Sequence, residues 1–183
     1  MPMPQQKTTS RLILRRPTED DVTSVFAIYG DPATNRYNPA GPLADRYQAK
    51  SMLDRWLQHW AEQGFGQWAI VSQDSPDRVI GFGGITLYGY NEIERINLGY
   101  RFAVSAWGNG YATELARAAL EYGFVELDQP QVYAVVRPAH QASINVLEKI
   151  GMRRIDELDD VPGQAPSLVY QATRTADVRQ GRD

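Results

Sequence analysis

The stretch Ala106-Trp107-Gly108-Asn109-Gly110-Tyr111-Ala112-Thr113-Glu114-Leu115, continued to Phe124 as AWGNGYATELARAALEYGF, sets two glycines one residue apart before an apolar helical pattern. Tyr111, Leu115, Ala118, Ala119 and Tyr122 recur at spacings of three and four, which predicts a helix over 110–124. A helix N-terminus presents about four N–H groups without intrahelical partners at the positive end of the helix dipole. With Gly108, Gly110 and Ala112 in the first turn, an anion can approach those donors without meeting a large side chain. Phosphate is the usual guest of such a turn.

On either side, the chain reads as alternating short strands and amphipathic helices. Arg11–Pro17 is a strand, and Thr18 with Asp21 opens a helix whose apolar positions are Val22, Val25, Phe26 and Tyr29. The turn-rich run 32–47 is a loop. A second helix covers Ala49 to Gln63 and buries Met52, Leu53, Trp56, Leu57 and Trp60, with Gly64 ending it. Residues 66–73 and 78–90 are β-rich and joined by a hairpin at Asp74–Asp77; 93–104 is a further strand leading into the glycines. Val132–Val136 is all apolar, as a strand covered on both faces would be. His140–Gly151 is a fourth helix, and 153–160 and 167–174 are the last strands. The order β-α-α-β-β-β-α-β-α-β-β predicts one α/β domain over 10–175 with seven strands, and frayed ends at 1–9 and 176–183.

Composition narrows the chemistry. The chain has 183 residues, 43% of them hydrophobic and 22% charged, as expected of a globular domain. It has no run of about eighteen apolar residues, so no membrane span is expected. The formal charge of −3 supplies no broad basic field for direct nucleic-acid binding. Cysteine is absent, which removes a thiol nucleophile and thiolate metal sites and fits a reducing, cytoplasmic setting. Two histidines are too few for a histidine-rich metal site, so no metal is expected.

Two nucleotide readings compete for the glycine turn. Gly108-Asn109-Gly110-Tyr111-Ala112-Thr113 nearly matches a dinucleotide fingerprint, but the sixth position is Thr113 and Val136 is followed by Arg137 where a ribose-binding acid is expected. The other reading is acyl-coenzyme A. SRLILRRPTEDD (Ser10–Asp21), VIGFGGI (Val79–Ile85), NLGYRFAVSAWGNGYATELARAALEYGF (Asn97–Phe124) and ASINVLEKIGM (Ala142–Met152) together resemble the GNAT superfamily of N-acetyltransferases, in the same order and over nearly the whole chain. Within it they are most similar to the Rim-type branch, the ribosomal-protein N-terminal acetyltransferases and their relatives. The superfamily's Arg/Gln-x-x-Gly-x-Gly/Ala loop corresponds to Trp107, Gly110 and Ala112, with Trp in the first place as is usual in that branch.

The resemblance implies a mixed, mostly antiparallel sheet of about seven strands, four main helices, and a fourth and fifth strand that run parallel and splay apart. It implies acetyl-coenzyme A as co-substrate. The pantetheine arm would pair with Phe102, Ala103 and Val104, and the diphosphate would lie on Gly108, Asn109, Gly110, Tyr111 and Ala112, beside Trp107, with Thr113 adding a hydroxyl. In the following helix the family's Asn is replaced by His140, which either donates to the cofactor arm or caps the helix. Ser143 matches and would hydrogen-bond or protonate the departing thiolate; Asn145 and Lys149 would touch the cofactor.

The acceptor amine must lose a proton before it attacks, and relatives often carry Glu for this in Glu-x-Gly-Tyr. Here the motif is Asn97-Leu98-Gly99-Tyr100; Glu94 is the nearby carboxylate, on the opposite strand face by alternation. Asn97 would then orient a water that carries the proton away. The acceptor, an amine at a protein N-terminus or on a small molecule, would be walled by the 29–47 loop, the second helix and the last hairpin, with Tyr37, Trp56 and Tyr88 as aromatic candidates and the acidic run 156–160 as an attraction for cations. A homodimer is common among such relatives. A catalytically weak acyl-coenzyme A binding module is the alternative, because both the Asn and the Glu are replaced.

Overall fold

Leu12 and Leu14, fully buried, alternate with half-buried Ile13 and Arg15, and that period of two is what makes this segment a strand. The computed structural model describes residues 6–175. Its strands are β1 (Gln6–Thr8), β2 (Leu12–Arg15), β3 (Gln67–Ser72), β4 (Ser75–Tyr90), β5 (Ile93–Phe102), β6 (Gln131–Val136), β7 (Arg153–Leu158) and β8 (Ser167–Thr173). The helices are α1 (Val22–Tyr29), α2 (Arg46–Gln63), α3 (Tyr111–Glu121) and α4 (Gln141–Lys149). The strands form one mixed sheet in the order β1-β2-β3-β4-β5-β6-β8-β7, antiparallel at β1–β2, β2–β3, β3–β4, β6–β8 and β8–β7 and parallel at β5–β6. The expected domain divides by its internal contacts into two compact units, residues up to 84 with 100–115, and 85–99 with those from 116 onward.

In the first unit β1 adds an eighth strand that the sequence reading treats as frayed. Gln6 pairs with Arg15 and Thr8 with Ile13, so the expected tail over 1–9 ends before Gln6; residues 1–5 and 176–183 lie outside the described residues. An edge strand held by backbone pairing and facing water carries no hydrophobic period, which is why it escapes pattern reading. The start of α1 follows the Thr18–Asp21 signal: the Thr18 N–H donates to the Asp21 carboxylate at 2.8 Å, and a 3₁₀ turn at Glu19–Asp21 leads into the helix. The second helix begins at Arg46 rather than Ala49, because Asp45 Oδ1 accepts the Gln48 N–H at 2.8 Å as an N-cap. It ends at Gly64, whose φ of 76° is left-handed. Val25, Ile28, Ala49, Leu53, Ala69 and Phe82 form the core that these helices share with β3 and β4. The β3–β4 turn falls at Gln73–Asp74, with Ser75 already in the strand.

In the second unit β5 and β6 meet at a single register pair, Asn97 opposite Tyr133, while β6 pairs along its other side with β8 from Gln131 to Val136. This is the expected splay of the fourth and fifth predicted strands. β6 is not covered equally on both faces: Val132, Ala134 and Val136 are buried, and Tyr133 and Val135 half-buried against Tyr90, Leu158 and Val169. The helix expected to reach Phe124 stays α-helical to Glu121 and then widens into a π turn at Tyr122–Glu126, closed by the Leu127 N–H on the Tyr122 carbonyl at 3.0 Å.

Candidate active site

The loop between β5 and α3 is organised by side chains that consume its carbonyls. Val104–Ala106 forms a 3₁₀ turn in which the carbonyls of Ala103 and Val104 accept from Ala106 and Trp107. The Trp107 indole N–H donates to the Phe102 carbonyl at 3.0 Å, and Asn109 Nδ2 donates to the carbonyls of Ala106 and Trp107 at 3.0 and 3.1 Å. Trp107 therefore straps the loop to the end of β5. Gly108 and Gly110 take φ of 75° and 77°, a region that costs a residue with a Cβ about 1–2 kcal/mol. The result is one-sided. Among the described residues, the N–H groups from Gly108 through Thr113 find no acceptor within the protein. A Cβ at Gly108 would have nothing within 4 Å, so the approach to these donors is open.

Of the expected edge Phe102, Ala103 and Val104, Phe102 is the last residue of β5, while Ala103 and Val104 lie beyond the strand. The strand ends at buried Phe102, the Ala103 N–H donates to the Ile80 carbonyl at 2.9 Å, and Val104 is already in the 3₁₀ turn. Phe102 stacks on Tyr111, with ring centroids 6.5 Å apart.

Arg11 is the residue at this loop that local sequence patterns do not reveal. Its NH1 donates to the Asn109 carbonyl at 2.7 Å, its Nε pairs with Glu114 Oε1 at 2.8 Å, and its guanidinium lies 4.6 Å over the Tyr111 ring. Glu114 also accepts from the Arg11 N–H at 3.0 Å and the Thr9 hydroxyl at 2.5 Å. Burial pushes the Glu114 carboxyl up, but these hydrogen bonds and the Arg11 charge outweigh it and hold it below its ordinary value. A lowered folded-state value means that this stabilisation is present above the ordinary carboxylate range and is lost as pH falls through the lowered value. On the acyl-coenzyme A site that the sequence resemblance implies for this loop, Arg11→Met is expected to raise the KM for that co-substrate about tenfold with kcat little changed. That follows from losing charge-assisted bonds worth roughly 1.5–3 kcal/mol, discounted because Arg11 is half exposed. Steady-state kinetics checks it.

In the second unit α4 begins after His140, which occupies the N-cap position without making a side-chain cap hydrogen bond. Ser143 lies half-buried in the first turn of α4, and Lys149 is exposed in its last turn. Asn145 is exposed and accepts from Gln141 Nε2 at 2.7 Å.

Asn97 Oδ1 accepts the Tyr90 hydroxyl at 2.6 Å, and a Cβ at Gly99 would lie 3.7 Å from Asn97 Nδ2, so the amide donor end faces along the strand. Tyr90 is buried, and that burial lifts its hydroxyl far above its ordinary value, so it stays a neutral donor. Glu94 is exposed, three residues away. Alternation sets it on the other face, so the two are not brought together. Of the aromatic candidates, Trp56 is committed to the first unit's core, edge-on to Tyr29 at 5.3 Å and 5.2 Å from Phe82. Tyr37 is half-buried near Arg36, and Tyr88 is exposed and edge-on to Tyr90. Asp156 and Glu157 line an open concavity of about 450 Å³ with Glu92 and Arg95, whose guanidinium sits over Tyr133 at 4.4 Å. Asp160 instead accepts from Ser167 at 2.7 Å.

Among the described residues, no group of three or more His, Cys, Asp or Glu side chains is placed to hold a metal ion. No helix among them is long and apolar enough to cross a membrane.

Comparison with known proteins gives a consistent result. A family profile described as an acetyltransferase (GNAT) domain matches residues 11–153. The uncharacterised protein YkkB of Bacillus subtilis is 35% identical over 146 residues, covering 79% of this chain and 83% of that protein. An acetyltransferase from Agrobacterium tumefaciens superposes with a TM-score of 0.78 at 25% identity, over 94% of this chain and 95% of that one. Two further structures share the fold at lower identity. Spermidine N-acetyltransferase from Vibrio cholerae, solved with coenzyme A and spermine, has a TM-score of 0.73 and 16% identity, over 90% of this chain and 96% of that one. Ribosomal-protein-S5-alanine acetyltransferase from Vibrio fischeri has 0.71 and 13%, over 92% and 96%.

Proposed function

We propose a primary amine as acceptor and direct attack as the route, for a chain that belongs to the GNAT acetyltransferase family and is an acetyl-coenzyme A-dependent acetyltransferase. The observation that carries the reading is the row of N–H groups from Gly108 through Thr113 without acceptors among the described residues, at the start of α3. Such a row fits the diphosphate of coenzyme A: the donors lie at a helix start, the dipole has the right sign, and Gly108 leaves room. The Thr113 hydroxyl adds a further donor, and Arg11 fixes the loop from behind. When bound, the cofactor supplies the acetyl group as an activated thioester.

The chain's own part is to receive the amine and manage its proton. An ammonium has no lone pair, so it must be deprotonated first. Asn97 cannot take up that proton. With its Oδ1 occupied by Tyr90, its Nδ2 is the group left to orient a water that carries the proton out. Ser143 is the hydroxyl assigned to the departing thiolate. The absence of cysteine argues for one-step transfer without an acyl-enzyme. Neighbours of the same fold named for spermidine and for a ribosomal protein make a small polyamine and a protein N-terminus the first acceptors to try.

The test is thermal shift with coenzyme A, followed by thiol release across a panel of polyamines, amino acids and peptide N-termini. At about a hundred times Kd the ligand should add roughly 2.7 kcal/mol of stability. Ser143→Ala and Asn97→Ala should each lower kcat at least tenfold with coenzyme A binding retained. Thiol release at the parent rate in both variants removes these two roles. Binding of coenzyme A with no amine turned over favours an acyl-coenzyme A sensor instead.

A further inference from the structure

Arg101, near the end of β5, is a half-buried cation whose protein partners carry no negative charge. Its NH1 donates to Asn35 Oδ1 at 2.5 Å, and its guanidinium lies 4.6 Å over the Tyr29 ring. Asn35 is buried and held in place: its Nδ2 donates to the carbonyls of Tyr29 and Asp31, each at 2.8 Å, which fixes its carbonyl toward the arginine. Tyr29 provides no counter-charge, because burial pushes its hydroxyl up to about 12. Among the described residues, none of the ion pairs includes Arg101. Arg15, Arg137 and Arg174, also intermediate in exposure, reach Asp21, Asp160 and Asp128 respectively, whereas Arg16 and Arg95 lie over the rings of Trp60 and Tyr133; Arg101 differs from those two in being fixed by a buried asparagine.

Leaving a shielded guanidinium without a carboxylate is costly, since hydration is given up without a counter-charge in return. Burial lowers the Arg101 pKa, consistent with that missing compensation. Residues that break a local rule without compensation inside the fold are expected at functional sites. The guanidinium has five N–H donors in a planar fork, and Asn35 takes one of them. What remains matches a carboxylate, which such a fork binds through two parallel hydrogen bonds. The surroundings suit an organic acid better than a solvent ion: the loop after α1 carries Asn35 and Asn38, and the Tyr29 ring lies under the cation, itself packed against Trp56 and Phe82.

We infer that Arg101 recognises a carboxylate on the acetyl acceptor, so that the acceptor class is an amine bearing an acid group, such as an amino acid or short peptide. This rests on the reading that the chain acetylates amines and that the loop after α1 walls the acceptor. It goes further in choosing against polyamines, which carry no acid.

The experiment compares each amino acid or peptide with its own carboxamide in the parent protein, Arg101→Lys and Arg101→Met. The parent should prefer acids by tenfold or more in kcat/KM. Arg101→Met should cut kcat/KM for acids about 30-fold through KM and bring the acid-to-amide ratio near one, with Arg101→Lys in between. An arginine that only pins Asn35 would lower acids and amides alike, and that result overturns the inference, as does a parent that prefers amides or polyamines. Titration of N-acetyl amino acids, the products, gives a readout independent of turnover. If no amine is acetylated but these acids bind the parent and not Arg101→Met, carboxylate recognition stands and the amine-transfer reading fails. If they bind neither protein, this inference falls whatever the turnover assays give.

Discussion

Replacing Gly108 by Asp is expected to weaken acetyl-coenzyme A binding about 100-fold and to leave the melting temperature within a few degrees of the parent. The two halves of that expectation come from different observations. Gly108 has φ of 75°, a conformation that Asp tolerates better than most residues, and its Cβ would meet nothing within 4 Å, so the fold has no reason to respond strongly. The new carboxylate, however, stands beside the N–H groups that no acceptor among the described residues engages. At about 5 Å from a phosphate charge it adds roughly 1–3 kcal/mol of repulsion per pair, depending on how far water screens it. About 2.7 kcal/mol is a hundredfold. Gly108→Asn has the same shape without the charge and should lose less than about fivefold. The gap between the two variants should narrow at high salt. Calorimetric titration of coenzyme A at two salt concentrations measures all of this. Equal binding by the Asp and Asn variants would move the diphosphate away from this loop.

The glycine loop was legible because its requirement is local: two positive φ values and a bare helix start leave their mark within a few residues. The same holds for Thr18 with Asp21, and for Gly64 at the end of α2. Asp45 with Gln48 carried an equally local signal, an acid followed three residues later by a helix-favouring amide, and reading it would have placed the start of α2 correctly. What stayed hidden is long-range. Arg11 and Glu114 are 103 positions apart, and no period or motif in either segment announces the other. Arg101 was hidden differently, because its significance lies in the carboxylate it does not reach, and only the positions of Asn35 and Tyr29 expose that. Trp107 illustrates a third case. Its place in the motif marks it as part of the cofactor loop, but that its indole holds the Phe102 carbonyl follows from the turn at Val104–Ala106.

Asp21→Ala should lower the stability of the fold by about 3 kcal/mol and leave cofactor chemistry nearly intact at low temperature. Asp21 is a buried carboxylate, 5% exposed, between the end of β2 and the start of α1. Both of its oxygens are used: Arg15 NH1 and NH2 donate at 2.8 and 2.7 Å in a bidentate pair, and the Thr18 N–H donates at 2.8 Å. Removing it strands a half-buried guanidinium and an N–H at a helix start at the same moment. Breaking a buried pair from one side costs about 3–5 kcal/mol, and the partial exposure of Arg15 puts this case at the lower end. For a chain of this length that corresponds to a fall in Tm of roughly 6–12 °C. The pair itself need not be worth that much, because its formation also costs desolvation of both ions. Replacing both partners with apolar residues, Arg15→Met with Asp21→Leu, should therefore recover at least half of the loss, since no uncompensated charge remains. Thermal melts of Arg15→Met, Asp21→Leu and the double variant complete the cycle, with Asp21→Ala melted beside them. Acetyl transfer at 15 °C should stay within about threefold of the parent in Asp21→Ala, because Asp21 touches none of the loop from Gly108 to Thr113. A double variant no more stable than Asp21→Ala would mean that the ion pair supplies the stability itself rather than merely satisfying two buried charges.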